Sequence, residues 1–315
     1  MYLLVARQLF VMALIALASY IFSRFKKIGA AESRYLSNLL LFFISPCLIL
    51  NTFTIDFDAE KLRQISLMMF LQFCIEMILI GISVLFIHSK KGMTKRDPID
   101  KMAVIYSNIG FIGIPLINGV FGQEGVFLLM GCIIMFNIFL WTQGVFLVTG
   151  KISIKQILTN PNIIAIAAGF MLFVLPVRIP DVLKQTIKLV GDLNTAISMI
   201  LLGILFTDFR KPDKKEKGLS LRILKTVCLR IVIAPLVLIG CMFLFEKYIF
   251  SGRNIKEILL ILLIAASCPV GMNVANFSVL YDPDNSPYAG LLVSFTSLFC
   301  IVTIPVMVKI AEMVL

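Results

Sequence analysis

The sequence predicts an all-α membrane protein of ten transmembrane helices in two inverted five-helix repeats, with the fourth and ninth helices broken and crossing at the midplane. Three observations carry this prediction. Hydrophobic residues make up 59% of the 315 residues, charged residues 15%, and mean hydropathy is +0.98. Apolar runs long enough to cross a ~30 Å hydrocarbon core therefore recur along the chain. Lys and Arg collect in alternate loops between those runs. Finally, residues 106–121 and 265–281 are apolar enough for a bilayer yet carry Asn, Gly and Pro in place of Leu, Ile and Ala.

Taken in order, the first five spans read as residues 3–25, 36–53 (with Pro46), 62–87, 101–121 (broken) and 125–148. The second five read as residues 162–175, 183–206, 219–245, 255–280 (broken) and 288–310. Arg24, Lys26 and Lys27 follow the first apolar run rather than preceding it, which marks a retained helix and not a cleaved signal peptide. Loops one, three, five and seven are positive: Arg24, Lys26, Lys27, Arg34; then Lys90, Lys91, Lys95, Arg96; then Lys151, Lys155; then Arg210 to Lys217. The alternate loops are mixed or acidic, as at Asp56, Asp58, Glu60, Lys61 and Arg63. The positive-inside rule then puts both termini outside the cytoplasm, in a multi-pass protein of the plasma membrane. One loop dissents, because Asp282 and Asp284 should be cytoplasmic yet bring no positive charge.

The division falls at residues 1–150 and 151–315. Five spans is an odd number, so the second half enters from the opposite side and the repeats are inverted about an axis in the membrane plane. The charged linker from Thr207 to Gly218 is too short to hold a further domain.

The formal net charge of +11 is loop charge that sets topology, so the lipid bilayer and not a nucleic acid is the expected partner. The seven cysteines are scattered singly, the only histidine is His88, and no metal-ligand spacing occurs. Neither a metal nor a cofactor is expected, and nothing resembles an intramembrane enzyme.

Paired Pro/Gly-interrupted polar stretches in corresponding positions of two halves point to a transport site. The candidate substrate-binding residues are Asn108, Gly110, Gly113 and Pro115 in the first stretch, and Pro269, Gly271, Asn273 and Asn276 in the second. Proline has no amide hydrogen and its ring clashes with the preceding turn, so the fourth helix should break near Gly113 to Pro115. Pro115 and Pro269 each suit the first position of a new half-helix. Half-helix N-termini offer free N–H groups and a positive dipole end. With neutral Asn donors beside them, they predict a small organic anion bound through a carboxylate. A plain kink, with the asparagines joining helices, is the alternative for either stretch alone; the matched pair favours a site.

Glu76 lies in the middle of the third span, where a carboxylate costs on the order of 3 kcal/mol or more. It reads either as a group that loads and releases a proton or as a structural partner of Arg230. Asn137 and Gln143 of the fifth span are its expected hydrogen-bond partners in a coupling site. Arg230 itself is expected to snorkel to the headgroups. Pro46 suits a kink, Trp141 packing or an interfacial anchor, and Asp192 and Asn194 a helix start.

Asn108-Ile-Gly-Phe-Ile-Gly-Ile-Pro115-Leu116, Asn160-Pro161, Leu201-Leu202-Gly203, Cys268-Pro269-Val270-Gly271 and Thr303-Ile304-Pro305 together resemble the auxin efflux carrier family. This family includes plant auxin exporters and bacterial permeases for malate- or malonate-like dicarboxylates. The resemblance covers essentially the whole chain. It implies a fold like that of bile-acid and sodium/proton transporters. Spans one, two, six and seven would form a scaffold, and spans three to five with eight to ten a transport domain moving like an elevator. It places Asn108 and Pro115 on a first crossover, Pro269 on a second, and Glu76 and Gln143 in a support site.

The reading is therefore a secondary carrier for a mono- or dicarboxylate, with no enzymatic activity. The competing reading is a non-transporting membrane sensor or lipid-binding protein on the same fold; homodimer formation stays open.

Overall fold

The computed structural model describes residues 1–26, 28, 30–54, 58–87, 96–151, 155, 158–175, 179–207, 219–248 and 253–315. Lys27, Asp56, His88, Lys90, Lys91, Lys95 and Arg210 to Lys217 lie outside the described residues, as does nearly all of the linker after Thr207.

The described chain is nearly all helical and contains no strand. Helix α1 (Tyr2–Lys26) is followed by α2 (Ala30–Leu39), which passes through a π-helical turn (Leu40–Ile44) into α3 (Ser45–Thr52). Helix α4 (Ala59–Phe86) and the short α5 (Asp97–Ile105) come next. A second π turn (Ile109–Gly113) leads into α6 (Ile114–Phe139), and a third (Leu140–Gly144) into α7 (Val145–Thr149). The remainder comprises α8 (Pro161–Val174), α9 (Asp181–Thr207), α10 (Leu219–Cys228), a π turn (Leu229–Ile233), α11 (Ala234–Tyr248), α12 (Arg253–Ser267), α13 (Met272–Tyr281) and α14 (Ser286–Val314).

Among the described residues, seven continuous helical stretches are long and apolar enough to cross a membrane; the shorter α8 is also apolar. The longest, Ile109–Thr149, contains Gly122 at φ 66° and ψ −160°, a conformation open essentially to glycine alone, so the chain turns there. Helices α5, α12 and α13 have 9, 15 and 10 residues. At 1.5 Å per residue none of them spans the hydrocarbon alone. Large apolar side chains such as Phe10, Leu14, Phe22, Phe70, Phe73 and Val84 point outward, as lipid-facing surfaces require.

Three of the four π turns end just before a proline: Pro46, Pro115 and Pro235 are each the second residue of the helix that follows. A π turn inserts an extra residue, which takes the proline ring out of collision with the preceding turn and uses the position that lacks an amide hydrogen. The helix therefore continues through Gly113 to Pro115 instead of breaking there. The actual break lies earlier, at Tyr106 to Asn108, where the backbone is extended at Tyr106 (φ −91°, ψ 111°). Pro46 likewise sits in a π-adjusted helix, not at a chain break.

Helices α1, α3, α8 and α9 pack on one another, and α4, α5, α6 and α10 to α14 form a second set. Glycines permit the closest crossings. A Cβ at Gly203 of α9 would collide with the Ala16 carbonyl of α1, and one at Gly191 would lie 2.9 Å from the Leu48 Cα. Asp192 and Asn194 lie well inside α9, not at a helix start; Asp192 pairs with Lys188 at 2.7 Å.

The starts of α5, α10 and α14 meet at one end of the molecule. Asp100 accepts from Arg222 Nε (2.5 Å), Thr226 Oγ1 (2.9 Å) and the Tyr288 hydroxyl (2.5 Å), while Arg222 also pairs with Asp97. Arg96 lies 5.1 Å over the Tyr288 ring and donates to Asn285, which donates to Asp282. The acidic loop that dissented from the charge pattern thus stands beside the arginine that ends a positive loop.

Candidate functional site

The two interrupted stretches meet. Ser107 and Val270 form an antiparallel bridge, with Asn108 N donating to the Pro269 carbonyl (2.8 Å) and Gly271 N to the Tyr106 carbonyl (2.9 Å). Two unwound segments therefore cross as a two-rung ladder and satisfy each other's backbone groups, which is required of non-helical backbone at membrane depth. Val270 N donates to Thr296 Oγ1 of α14 at 3.0 Å. Gly271 is needed at the crossing because a Cβ there would lie 2.8 Å from the Ser107 carbonyl oxygen and 3.2 Å from that of Tyr106.

Four helix ends converge on this crossing: the C-termini of α5 and α12, and the N-termini of the Ile109 turn and α13. The C-terminal pair is capped by Arg230. This side chain is fully buried, and its Nη1 donates to the Val104 (2.9 Å) and Ile105 (3.4 Å) carbonyls. Nη2 donates to Ala266 (2.6 Å) and Cys268 (2.8 Å), and Nε to Cys268 (3.1 Å). One guanidinium thus answers the orphan carbonyls and the negative dipole ends of two half-helices at once. Snorkelling is overturned: Arg230 reaches inward because unpaired carbonyls at that depth are stronger attractors than headgroups it cannot easily reach.

The N-terminal pair is not capped by side chains. Asn108 and Gly271 occupy the N-cap positions, and neither makes a side-chain cap. The Asn108 carbonyl takes the Ile112 (3.0 Å) and Gly113 (3.1 Å) amides, while its side chain, 3% exposed, has no hydrogen-bond partner among the described residues. These N-termini are the groups that favour negative charge.

The chain matches the membrane transport protein family over residues 4–151 and again over residues 145–308. It belongs to that family. The family includes the auxin efflux carriers, and membership makes this chain a helical membrane transporter. No curated protein matches it.

Within this membrane transport protein, Asn108, Gly110, Gly113, Pro269, Gly271 and Asn273 lie on or beside the crossing, with Asn273 half-buried at the start of α13. A Cβ at Gly113 would meet Cys268 Sγ at 3.5 Å, so the first stretch touches the second there also. Neither proline opens a half-helix. Pro115 lies beyond the π turn, and Pro269 lies in the extended crossing and contributes its carbonyl. Asn276 faces away, with Nδ2 donating to Ser37 of α2 at 3.4 Å.

The expected partners of Glu76 are also corrected. Asn137 donates to the Ile133 carbonyl of its own helix (2.8 Å), and the one proton of the Tyr106 hydroxyl is shared between Gln143 Oε1 and the Phe139 carbonyl (2.9 Å). Glu76 instead accepts from Gln72 Nε2 at 2.9 Å, one helical turn away. Its other oxygen and Gln72 Oε1 are buried without partners among the described residues. Glu76 forms no salt bridge with Arg230, although each lies within electrostatic reach of the other. Helical spacing could have shown Gln72 in the sequence; nothing local could have paired Tyr106 with Gln143, 37 residues apart. Trp141 packs edge-on against Phe277 at 5.1 Å.

A cavity of about 510 Å³ lies elsewhere, between α1, α2 and α9, lined by Phe22, Ser23, Tyr35, Leu36 and Ile200. Ser19 and Glu32 also line it, and it shares no residue with the crossing.

Proposed function

We propose that this transporter is a secondary carrier for a small organic anion, a mono- or dicarboxylate. The anion is held at the crossing by the N-termini at Ile109 and Met272 and by Asn108 and Asn273. One observation carries the reading: two antiparallel unwound segments are flanked by half-helix N-termini that no side chain caps. In this reading ten spans form two inverted halves, residues 1–150 and 151–315. The set α1, α3, α8 and α9 is the scaffold past which the other helices move by alternating access. The protein sits in the plasma membrane with both termini outside the cytoplasm, and Glu76 with Gln72 serves coupling.

Thermal-shift screening of the purified protein against mono- and dicarboxylates tests it. A ligand at 100 times its Kd stabilises by about 2.7 kcal/mol, enough to read. Asn108→Ala should weaken the stabilising carboxylate about tenfold. No stabilisation by any carboxylate, or unchanged affinity in Asn108→Ala, would remove the assignment.

A further inference from the structure

Four side chains of the Asp, Glu, Lys and Arg types are buried among the described residues: Glu76, Asp97, Asp100 and Arg230. Asp97 and Asp100 lie in the first turn of α5 and are paired with Arg222. Away from the helix ends, the buried described interior thus holds one carboxylic acid and one guanidinium. The base is solvated in an unusual way, because all five donor contacts of Arg230 go to backbone carbonyls and none to a carboxylate. Its charge is therefore sustained whether or not Glu76 is ionised. The acid differs: Glu76 has one oxygen satisfied by Gln72 and the other bare. A bare buried carboxylate oxygen is a place for a proton. The titratable groups that face Glu76 are Arg230 from the π turn, Tyr106 from the end of α5 and Cys132 from α6; Cys268 faces Arg230.

Moving an uncompensated charge through a bilayer is opposed both by desolvation and by the membrane potential. With Arg230 fixed as positive, an empty site is neutral when Glu76 is ionised. A site holding one anionic carboxylate is neutral only when Glu76 is protonated. We infer that Glu76 and Arg230 form a charge-balancing couple for a monoanionic carboxylate: Glu76 takes up one proton from solution as the anion binds and releases it as the anion leaves. Both the loaded and the empty carrier then cross uncharged, and the transported cargo is one anion with one proton. This rests on the crossing being the anion site.

The test uses the purified full chain with lactate and malonate as probes. Proton uptake is read from calorimetric titrations in two buffers of different ionisation enthalpy between pH 6 and 9. Lactate binding should take up a proton number that rises towards one with pH, and its Kd should rise tenfold per pH unit on that limb. Malonate, a dianion, is balanced by only one proton at Glu76, so it should take up no more than one and bind more weakly than lactate. In Glu76→Gln the residual lactate binding should take up none and lose its pH dependence. Arg230→Met should weaken lactate binding at least a hundredfold; because that variant can fail to fold, Arg230→Lys, which keeps the charge, should retain the one-proton stoichiometry. Lactate binding without proton uptake in the native protein overturns the couple and leaves the anion site standing, as does uptake persisting in Glu76→Gln. Absence of binding by both probes overturns the carboxylate reading first, and the couple with it.

Discussion

Gly271→Ala is the smallest change that addresses the crossing directly. The added methyl would stand 2.8 Å from the Ser107 carbonyl oxygen and 3.2 Å from both the Ser107 carbonyl carbon and the Tyr106 oxygen. All three are backbone atoms held in a ladder, so the contact cannot be relieved by turning a side chain. Gly271 has φ −66°, which alanine adopts freely, so the cost is contact and not backbone strain. Overpacking of this kind costs roughly 1–3 kcal/mol. Separating the segments also lengthens the Asn108–Pro269 and Gly271–Tyr106 hydrogen bonds, each worth about 1 kcal/mol net. Together these give a destabilisation on the order of 3 kcal/mol, a fall of roughly 5 °C or more in the melting temperature of the detergent-purified protein. Gly290→Ala in α14 is the control, since nothing lies within 4 Å of its Cβ position; alanine there should be neutral or stabilising by roughly 0.5–1 kcal/mol. If the two variants melt within a degree of each other, the crossing is not the tight backbone contact described above.

Asp100→Ala strips the shared acceptor from Arg222, Thr226 and Tyr288 and should cost about 2–3 kcal/mol, read as a lower melting temperature; a change under 1 °C would mean that Asp97 alone holds Arg222. Gly203→Val should force α1 from α9 and sharply lower the yield of monodisperse protein in size-exclusion chromatography, whereas Gly240→Ala, with open space around its Cβ, should leave it unchanged.

Two interrupted stretches were legible in the sequence because Asn, Gly and Pro in an apolar run conflict with a lipid-facing helix wherever the chain folds. Their exact break points were not. Pro115 reads as a breaker in isolation, yet a π turn absorbs it, and that choice depends on what Tyr106 to Asn108 find to bond with across the crossing. Glu76 was visible as a costly charge, but its partner followed from helix register to Gln72 rather than from the amides of the fifth span.

Composition and pattern alone determined a helical, membrane-embedded chain, its charged loops and the two stretches that would carry a site. Hydropathy and the backbone chemistry of proline and glycine act locally, so they can be read one segment at a time. Only the tertiary structure decided that Arg230 is a buried staple for two half-helix ends. Its partners are the carbonyls of Val104, Ile105, Ala266 and Cys268, which lie 36 to 126 residues away and come together only when both unwound segments cross.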